Sequence, residues 1–204
     1  SVLAKVKNKL DKEDIRLLAF GVTGFNKDEA AARRTFDFAK LMGIETITAE
    51  PELNDDVFKM LDKLVEEYRI NIAIHNHPKD STYWNPDTVL KAIQGHSPRI
   101  GACADTGHWM RSGINPLEAI KKLEGHIISS HFKDLNEMGN GHDVIWGTGK
   151  GDAKALLTEL HRQGFKGVVS IEYEHNWGKS LPEVEACAKF FNELSRELNL
   201  AGRQ

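Results

Sequence analysis

Cysteine is scarce in this sequence: Cys103 and Cys187 are the only two among 204 residues. Two cysteines do not make a disulfide framework. Cys103 lies inside an apolar, strand-like run and Cys187 on a helix face, so both read as small buried hydrophobes. An excess of charge of one sign is also missing. Twenty-seven Lys and Arg stand against 30 Asp and Glu, a formal net charge of −3. That balance leaves no basic footprint for a nucleic acid. No apolar run approaches membrane-spanning length, and Ser1-Val2-Leu3-Ala4-Lys5 does not read as a signal peptide. The compartment stays open between cytoplasm and periplasm. The glycine-rich first turn that announces a doubly wound sheet is absent as well.

What is present is alternation. Strand-like runs at 17–22, 44–49, 70–74, 100–104, 126–130 and 167–171 alternate with helical patterns. The helices are expected at 27–42 with Asn26 as cap, at 55–68, from Asn85-Pro86 to Gly95, from Asn115-Pro116 to Gly125, at 152–163 and at 182–198. In the second, Val57, Leu61, Leu64, Val65 and Tyr68 fall on one face at helical spacing. In the last, Val184, Ala188, Phe191, Leu194 and Leu198 turn inward. A hydrophobic share of 40% and a charged share of 28% suit one soluble globular domain spanning 1–204. Strand–helix alternation implies parallel strands with right-handed crossovers. The expected fold is α/β, a (β/α)8 barrel of the TIM type with about six of its eight units present. Residues 1–10 read as a helix without the strand before it, so two strands and one helix are expected to be missing ahead of it. The exposed edges could be covered by a second copy, a homo-oligomer.

The strands end in chemistry. Ile72-Ala73-Ile74 runs into His75-Asn76-His77. Ala102-Cys103-Ala104 runs into Asp105-Thr106-Gly107-His108-Trp109. Ile127-Ile128-Ser129-Ser130 runs into His131, and Val168-Val169-Ser170-Ile171 into Glu172. In a parallel β/α protein all strand C-termini open on one face, so these groups meet there. Metal-assisted catalysis is the leading reading.

Five segments carry a family resemblance: Ala73-Ile74-His75-Asn76-His77, Asp105-Thr106-Gly107-His108, Ser130-His131-Phe132-Lys133-Asp134, Gly147-Thr148-Gly149-Lys150-Gly151 and Ser170-Ile171-Glu172-Tyr173-Glu174. In this order they resemble the sugar phosphate isomerase/epimerase family, the xylose isomerase-like barrels that also include endonuclease IV. The resemblance covers nearly the whole chain and corresponds to the family's last six strands. It implies one divalent metal held by Asp105, His131 and Glu172. The fourth ligand position falls on His75, where sugar epimerases usually have glutamate. That departure puts a symmetric two-glutamate epimerisation in doubt. Glu50, ending the second strand, is a candidate fifth ligand or the acid that replaces the missing glutamate.

A His, Asp, His, Glu set suits Mn²⁺, Fe²⁺, Co²⁺ or Zn²⁺ better than Mg²⁺ or Ca²⁺. The resemblance implies a sugar isomerase or epimerase acting on a small sugar or keto-sugar. The reaction would remove the proton next to a carbonyl through an enediolate. Glu172 is the first choice for general base. His108 is expected to orient a substrate oxygen or carry a proton, and Lys133 to stabilise an oxyanion. Lys133 could instead be a salt-bridge partner of Asp134 or Glu174. His77 is placed on the same face as His75, as a substrate or outer-sphere group. Trp109 and Trp146 could stack on a sugar face or serve as packing lids. The glycine loop 147–151 could offer N–H groups to an anion or form a tight turn into the next helix. Two other readings stand beside the first: a metal-dependent lyase that cleaves 3-keto-glycosides by β-elimination, and a barrel remnant that binds without catalysis. DNA repair of the endonuclease IV kind is disfavoured, because Gly141-His142-Asp143-Val144 does not reproduce that pattern and the net charge is acidic.

Overall fold

The computed structural model describes residues 2–201, and side chains of residues 2–199. Six parallel strands form one sheet in sequence order: β1 (Ala19–Phe25), β2 (Thr46–Pro51), β3 (Asn71–His75), β4 (Ile100–Asp105), β5 (Ile127–Phe132) and β6 (Val168–Ile171). Helices join them: α1 (Val2–Lys12) before β1, then α2 (Glu29–Met42), α3 (Asp55–Tyr68), α4 (Pro86–Ile93), α5 (Thr106–Arg111), α6 (Pro116–Lys122), α7 (Ala153–Arg162) and α8 (Leu181–Ala201). This is a half-barrel of the expected kind, six strands with the helices alternating between them. None of the described helices is long and apolar enough to cross a membrane.

The helices start and stop where local chemistry requires. Asn85 and Asn115 accept backbone N–H bonds at the heads of α4 and α6, each followed by proline in the first turn. Asn54 does the same for α3. The cap of α2 differs from expectation. Asp28 holds it, accepting from Ala31 N, while Asn26 accepts from Asp28 N one turn earlier. The helix therefore starts at Glu29 rather than Lys27. The short helix α5 was not expected at all. Six residues are too few to show an apolar period.

On α3, Val57, Leu61, Leu64 and Val65 are buried in the same core cluster as Ile47, Ile72 and Ile74 of the sheet. Each such side chain contributes about 1.5–3 kcal/mol when removed from water. Coverage thins at the two edge strands. Every residue of β6 is only half-buried, and Phe20 and Val22 of β1 are exposed. Of the inward set on α8, Leu194 is buried, while Val184, Ala188, Phe191 and Leu198 are half-buried.

Candidate metal centre and its acid–base groups

Strand register brings the site together. Cys103 of β4 pairs with His75 at the end of β3, and Asp105 pairs with His131 of β5. His131 pairs with Ser170 of β6, two residues before Glu172. Two side chains extend this ladder past the strand ends. The Asn76 amide donates to Asp105 O (2.9 Å) and accepts from Asp105 N (2.8 Å). The Thr106 hydroxyl donates to Lys133 O (2.6 Å) and accepts from Lys133 N (2.8 Å). Neighbouring strand ends are thus locked as backbone would lock them. Neither Asn76 nor Thr106 was expected to matter here.

Asp105 has two tasks. It caps α5, its Oδ1 accepting from His108 N at 2.7 Å. That leaves Oδ2 turned toward the cluster, 2.7 Å from Lys133 Nζ, 3.4 Å from His75 Nε2 and 3.6 Å from His108 Nε2. Glu172 Oε2 lies 2.6 Å from His131 Nδ1 and 3.0 Å from Lys133 Nζ. One ligand atom from each of His75, Asp105, His131 and Glu172 lies within 4.8 Å of every other. Donors about 2.0–2.2 Å from a shared cation need such spacing.

Three buried atoms test whether a cation fits. His75 Nε2, His131 Nδ1 and Glu172 Oε2 have no hydrogen-bond partner. The last two approach each other to 2.6 Å, and Glu172 Oε2 is also ion-paired with Lys133 Nζ at 3.0 Å, without either contact being aligned as a hydrogen bond. Buried polar atoms are rarely left without partners, and those that are call for an ion, a water or a chemical role. Three in one four-residue group fit a divalent ion.

Glu50 sits apart from that group. Its Oε1 contacts His77 Nδ1 and lies 3.4 Å from His75 Nδ1, the ring nitrogen that does not face Asp105. A carboxylate on the other nitrogen of a ligating imidazole orients the ring and fixes its proton. Glu50, His75 and His77 form a second compact set of donors, which shares His75 with the first. His77 is the exposed member, with 45% of its side chain in solvent.

The Lys133 ammonium is buried among three carboxylates: Asp105, Glu172, and Glu174 at 3.5 Å. Burial disfavours its charge, but Asp105 and Glu172 outweigh burial and raise its pKa. The reciprocal effect falls on the acids. Burial pushes the Asp105 carboxyl up, yet Lys133 and His75 hold it well below the usual carboxylate range. For Glu172, burial is likewise overridden by His131 and Lys133, and its pKa falls to about 2. Burial lowers His75 and His131, but their acidic neighbours prevail. His75 is raised to about 9 by Asp105 and Glu50, and His131 to about 10 by Cys103 and Glu172. His108 goes the other way, to about 4, because burial and the nearby Lys133, His75 and Arg111 oppose a second charge.

Of the two salt bridges expected for Lys133 as an alternative to a site role, the one to Glu174 forms and the one to Asp134 does not. Asp134 points to the other side of the strand end and accepts from the backbone N–H groups of Gly147 (2.9 Å), Gly149 (3.0 Å) and Gly151 (2.9 Å). Thr148 N and Lys150 N bond to Ile145 O and Leu135 O. Every N–H of the 147–151 loop is therefore used within the protein. The loop is a turn built around one carboxylate, not a cradle for an anion. A Cβ at Gly149 would stand 2.2 Å from Asp134 Oδ1, which is why glycine is required. Trp109 and Trp146 are not brought to the open face. They are 1% and 2% exposed, and Trp146 packs on Phe132 with ring centroids 4.5 Å apart. Neither indole offers a face to a sugar. Arg111 and Glu174, unnoticed in the sequence as site residues, bond to each other at 2.9 Å beside His108 and Lys133. The Glu172-Tyr173-Glu174 spacing was the available signal for Glu174. Arg111 needed helix α5 to be recognised first.

A parallel β/α half-barrel with a mixed His and carboxylate cluster at its strand C-terminal ends defines a class by fold, the TIM-barrel type, with a donor set that could hold a metal ion. The comparison with known families agrees, since the profile for the xylose isomerase-like TIM barrel matches residues 1–194. The chain belongs to that family. An inosose dehydratase of Lacticaseibacillus casei is 21% identical over 217 residues, covering 86% of this chain and 72% of its own length. A solved structure from Parabacteroides distasonis ATCC 8503, of a protein without an assigned function, is 36% identical. Its TM-score is 0.71, covering 94% of this chain and 75% of that one. The structure of an IolI protein with a bound zinc atom is 20% identical, with a TM-score of 0.74, covering 97% and 83%.

Proposed function

We propose that this protein is a divalent-metal-dependent sugar isomerase or epimerase that removes the proton next to the carbonyl of a small sugar or keto-sugar. Membership of the xylose isomerase-like family and the likeness to an inosose dehydratase support a sugar-modifying enzyme. One observation carries the metal and the site: the four-residue convergence of His75, Asp105, His131 and Glu172, with three buried atoms unpartnered. The zinc held by the IolI structure supports a divalent ion at such a centre.

His75, Asp105, His131 and Glu172 would hold the ion, which when bound polarises a substrate carbonyl. The chain's own groups do the rest. Glu172 is ionised throughout the neutral range, the state in which a carboxylate can accept a proton. Lys133 keeps Asp105 and Glu172 charged and stands ready to offset negative charge that develops on a substrate oxygen. Glu50 orients His75, and His77 stands at the rim where a substrate enters.

A second reading has a specific observation in its favour. The position where the resemblance implies a second glutamate carries His75, in ring contact with His77 and His108, and Glu50 reaches it only from the far side of the ring. Reversible protonation from both sides of a carbon favours two similar groups. Elimination of a β-substituent after proton removal does not need them, and a dehydratase is among the relatives. The test is direct: protein loaded with Mn²⁺ or Zn²⁺ is incubated with free ketoses and with 3-keto-glycosides. An epimer or isomer supports the first reading, and released aglycone supports the second. No turnover, together with less than about a tenth of an equivalent of metal after reconstitution, would leave only a barrel that binds without catalysis.

A further inference from the structure

Arg111 lies on α5, one helical turn beyond His108, and its guanidinium bonds to four partners. It donates to Glu174 Oε2 (2.9 Å), to Asp143 Oδ2 (3.5 Å), to Gly141 O (3.4 Å) and to His108 Nδ1 (3.2 Å). Two carboxylates and a carbonyl from two different loops therefore fix its position before the histidine is considered. A guanidinium has five N–H donors and no acceptor, and it does not lose its proton in a protein. The nitrogen that faces it must accept, so His108 Nδ1 carries no hydrogen. In a neutral imidazole the hydrogen then sits on Nε2. The other end of the ring agrees, for Nε2 faces Asp105 Oδ2 at 3.6 Å, an acceptor. The ring is bracketed by a group that can only donate and a group that can only accept.

We propose that Arg111 is a positioning residue that locks His108 in its Nε2–H tautomer, so that the hydrogen turned toward Asp105 Oδ2 is one that a substrate oxygen entering beside it can accept, and His108 does not act as a base. The inference rests on the sugar-enzyme reading for the identity of that oxygen, but not for the tautomer. A donor fixed in this way distinguishes its role from that of Glu172. One group is left to take the proton, and the other holds a hydroxyl or carbonyl oxygen in place. It also explains why a residue with no direct path to the metal ligands is anchored by both the 134–143 segment and the segment after β6.

The tautomer is read without any turnover. Long-range proton–nitrogen correlation spectra are recorded on Zn²⁺-loaded protein labelled with ¹⁵N-histidine, and the His108 ring is assigned by its loss in His108→Gln. The expected result is Nε2 in the N–H range and Nδ1 in the range of a bare imine nitrogen. In Arg111→Met the two tautomers should mix or invert, and Arg111→Lys, which keeps a donor-only cation, should restore the original. A hydrogen on Nδ1 in the unaltered protein overturns the proposal, and so does an unchanged tautomer in a folded Arg111→Met. If that variant does not fold, the spectrum of the unaltered protein decides alone. Where a substrate is in hand, Arg111→Met and His108→Gln should lower kcat/KM by similar factors, with the double variant no worse than either. Absence of turnover on every sugar would strike the functional reading and leave the tautomer assignment untouched. The wrong tautomer would strike this inference alone.

Discussion

Lys133 can reach Asp105 only because residue 107 has no side chain. A Cβ at Gly107 would stand 2.6 Å and 2.7 Å from the Lys133 Cδ and Cβ, and the lysine is 1% exposed with nowhere to move. Gly107→Ala is therefore expected to cost about 1–3 kcal/mol, the usual range for overpacking. A lowered urea midpoint with an unchanged slope checks it. The same lysine holds Glu172 ionised. Glu172→Gln keeps the shape of the side chain and removes the group proposed to take a proton. It should retain the circular dichroism spectrum yet lower turnover by about 10²-fold or more. Undiminished turnover would remove Glu172 from that role.

Strand ends show how far the sequence could be read. His75, Asp105, His131 and Glu172 were legible because apolar runs stop at them, and parallel strands with one crossover sense must deliver their C-termini to one face. The long helix α3 was legible to the residue because Asn54 caps it and its apolar period is unbroken. The six-residue α5 was not, and Arg111 was lost with it. The locks made by Asn76 and Thr106 were not legible either, since a polar residue beside a strand end gives no sign of which backbone it will grip. Asp134 is the sharpest case. Its sequence position beside Lys133 suggested an ion pair, but strand alternation turns it away, into the glycine loop. The loop should therefore depend on that one carboxylate. Asp134→Ala leaves three backbone N–H groups without their acceptor. At about 1.5–3 kcal/mol for a bond to a charged group, and with incomplete additivity, a loss of roughly 3 kcal/mol or more is expected. Urea unfolding measures it, and hydrogen exchange should accelerate first at Gly147, Gly149 and Gly151.

Taken together, the rim is an assembly of charges of both signs around the proposed metal ligands. Asp105, Glu172, Glu174 and Glu50 face Lys133, Arg111 and two histidines whose pKa values stand at about 9 and about 10. In the metal-free protein at pH 7, His75 and His131 therefore hold protons that partly take the place of an ion. Acid stability follows from the same groups. Glu172 has its folded pKa lowered from 4.5 to about 2, so its contribution is complete above 4.5 and is lost as pH falls toward 2. Metal binding reverses the histidine side of the exchange. An ion takes the neutral ring, so uptake must expel the protons on His75 and His131. Isothermal titration with Zn²⁺ in two buffers of different ionisation enthalpy at pH 7 is expected to report release of about two protons per ion. The apparent affinity should rise as pH is raised toward 9 and level off above 10, where both rings are already neutral. Removing one ring by His131→Ala should cut the release to about one proton and weaken binding steeply. An ion that binds with no proton release, or with affinity indifferent to pH between 6 and 9, would mean that the cation sits elsewhere than on these two imidazoles.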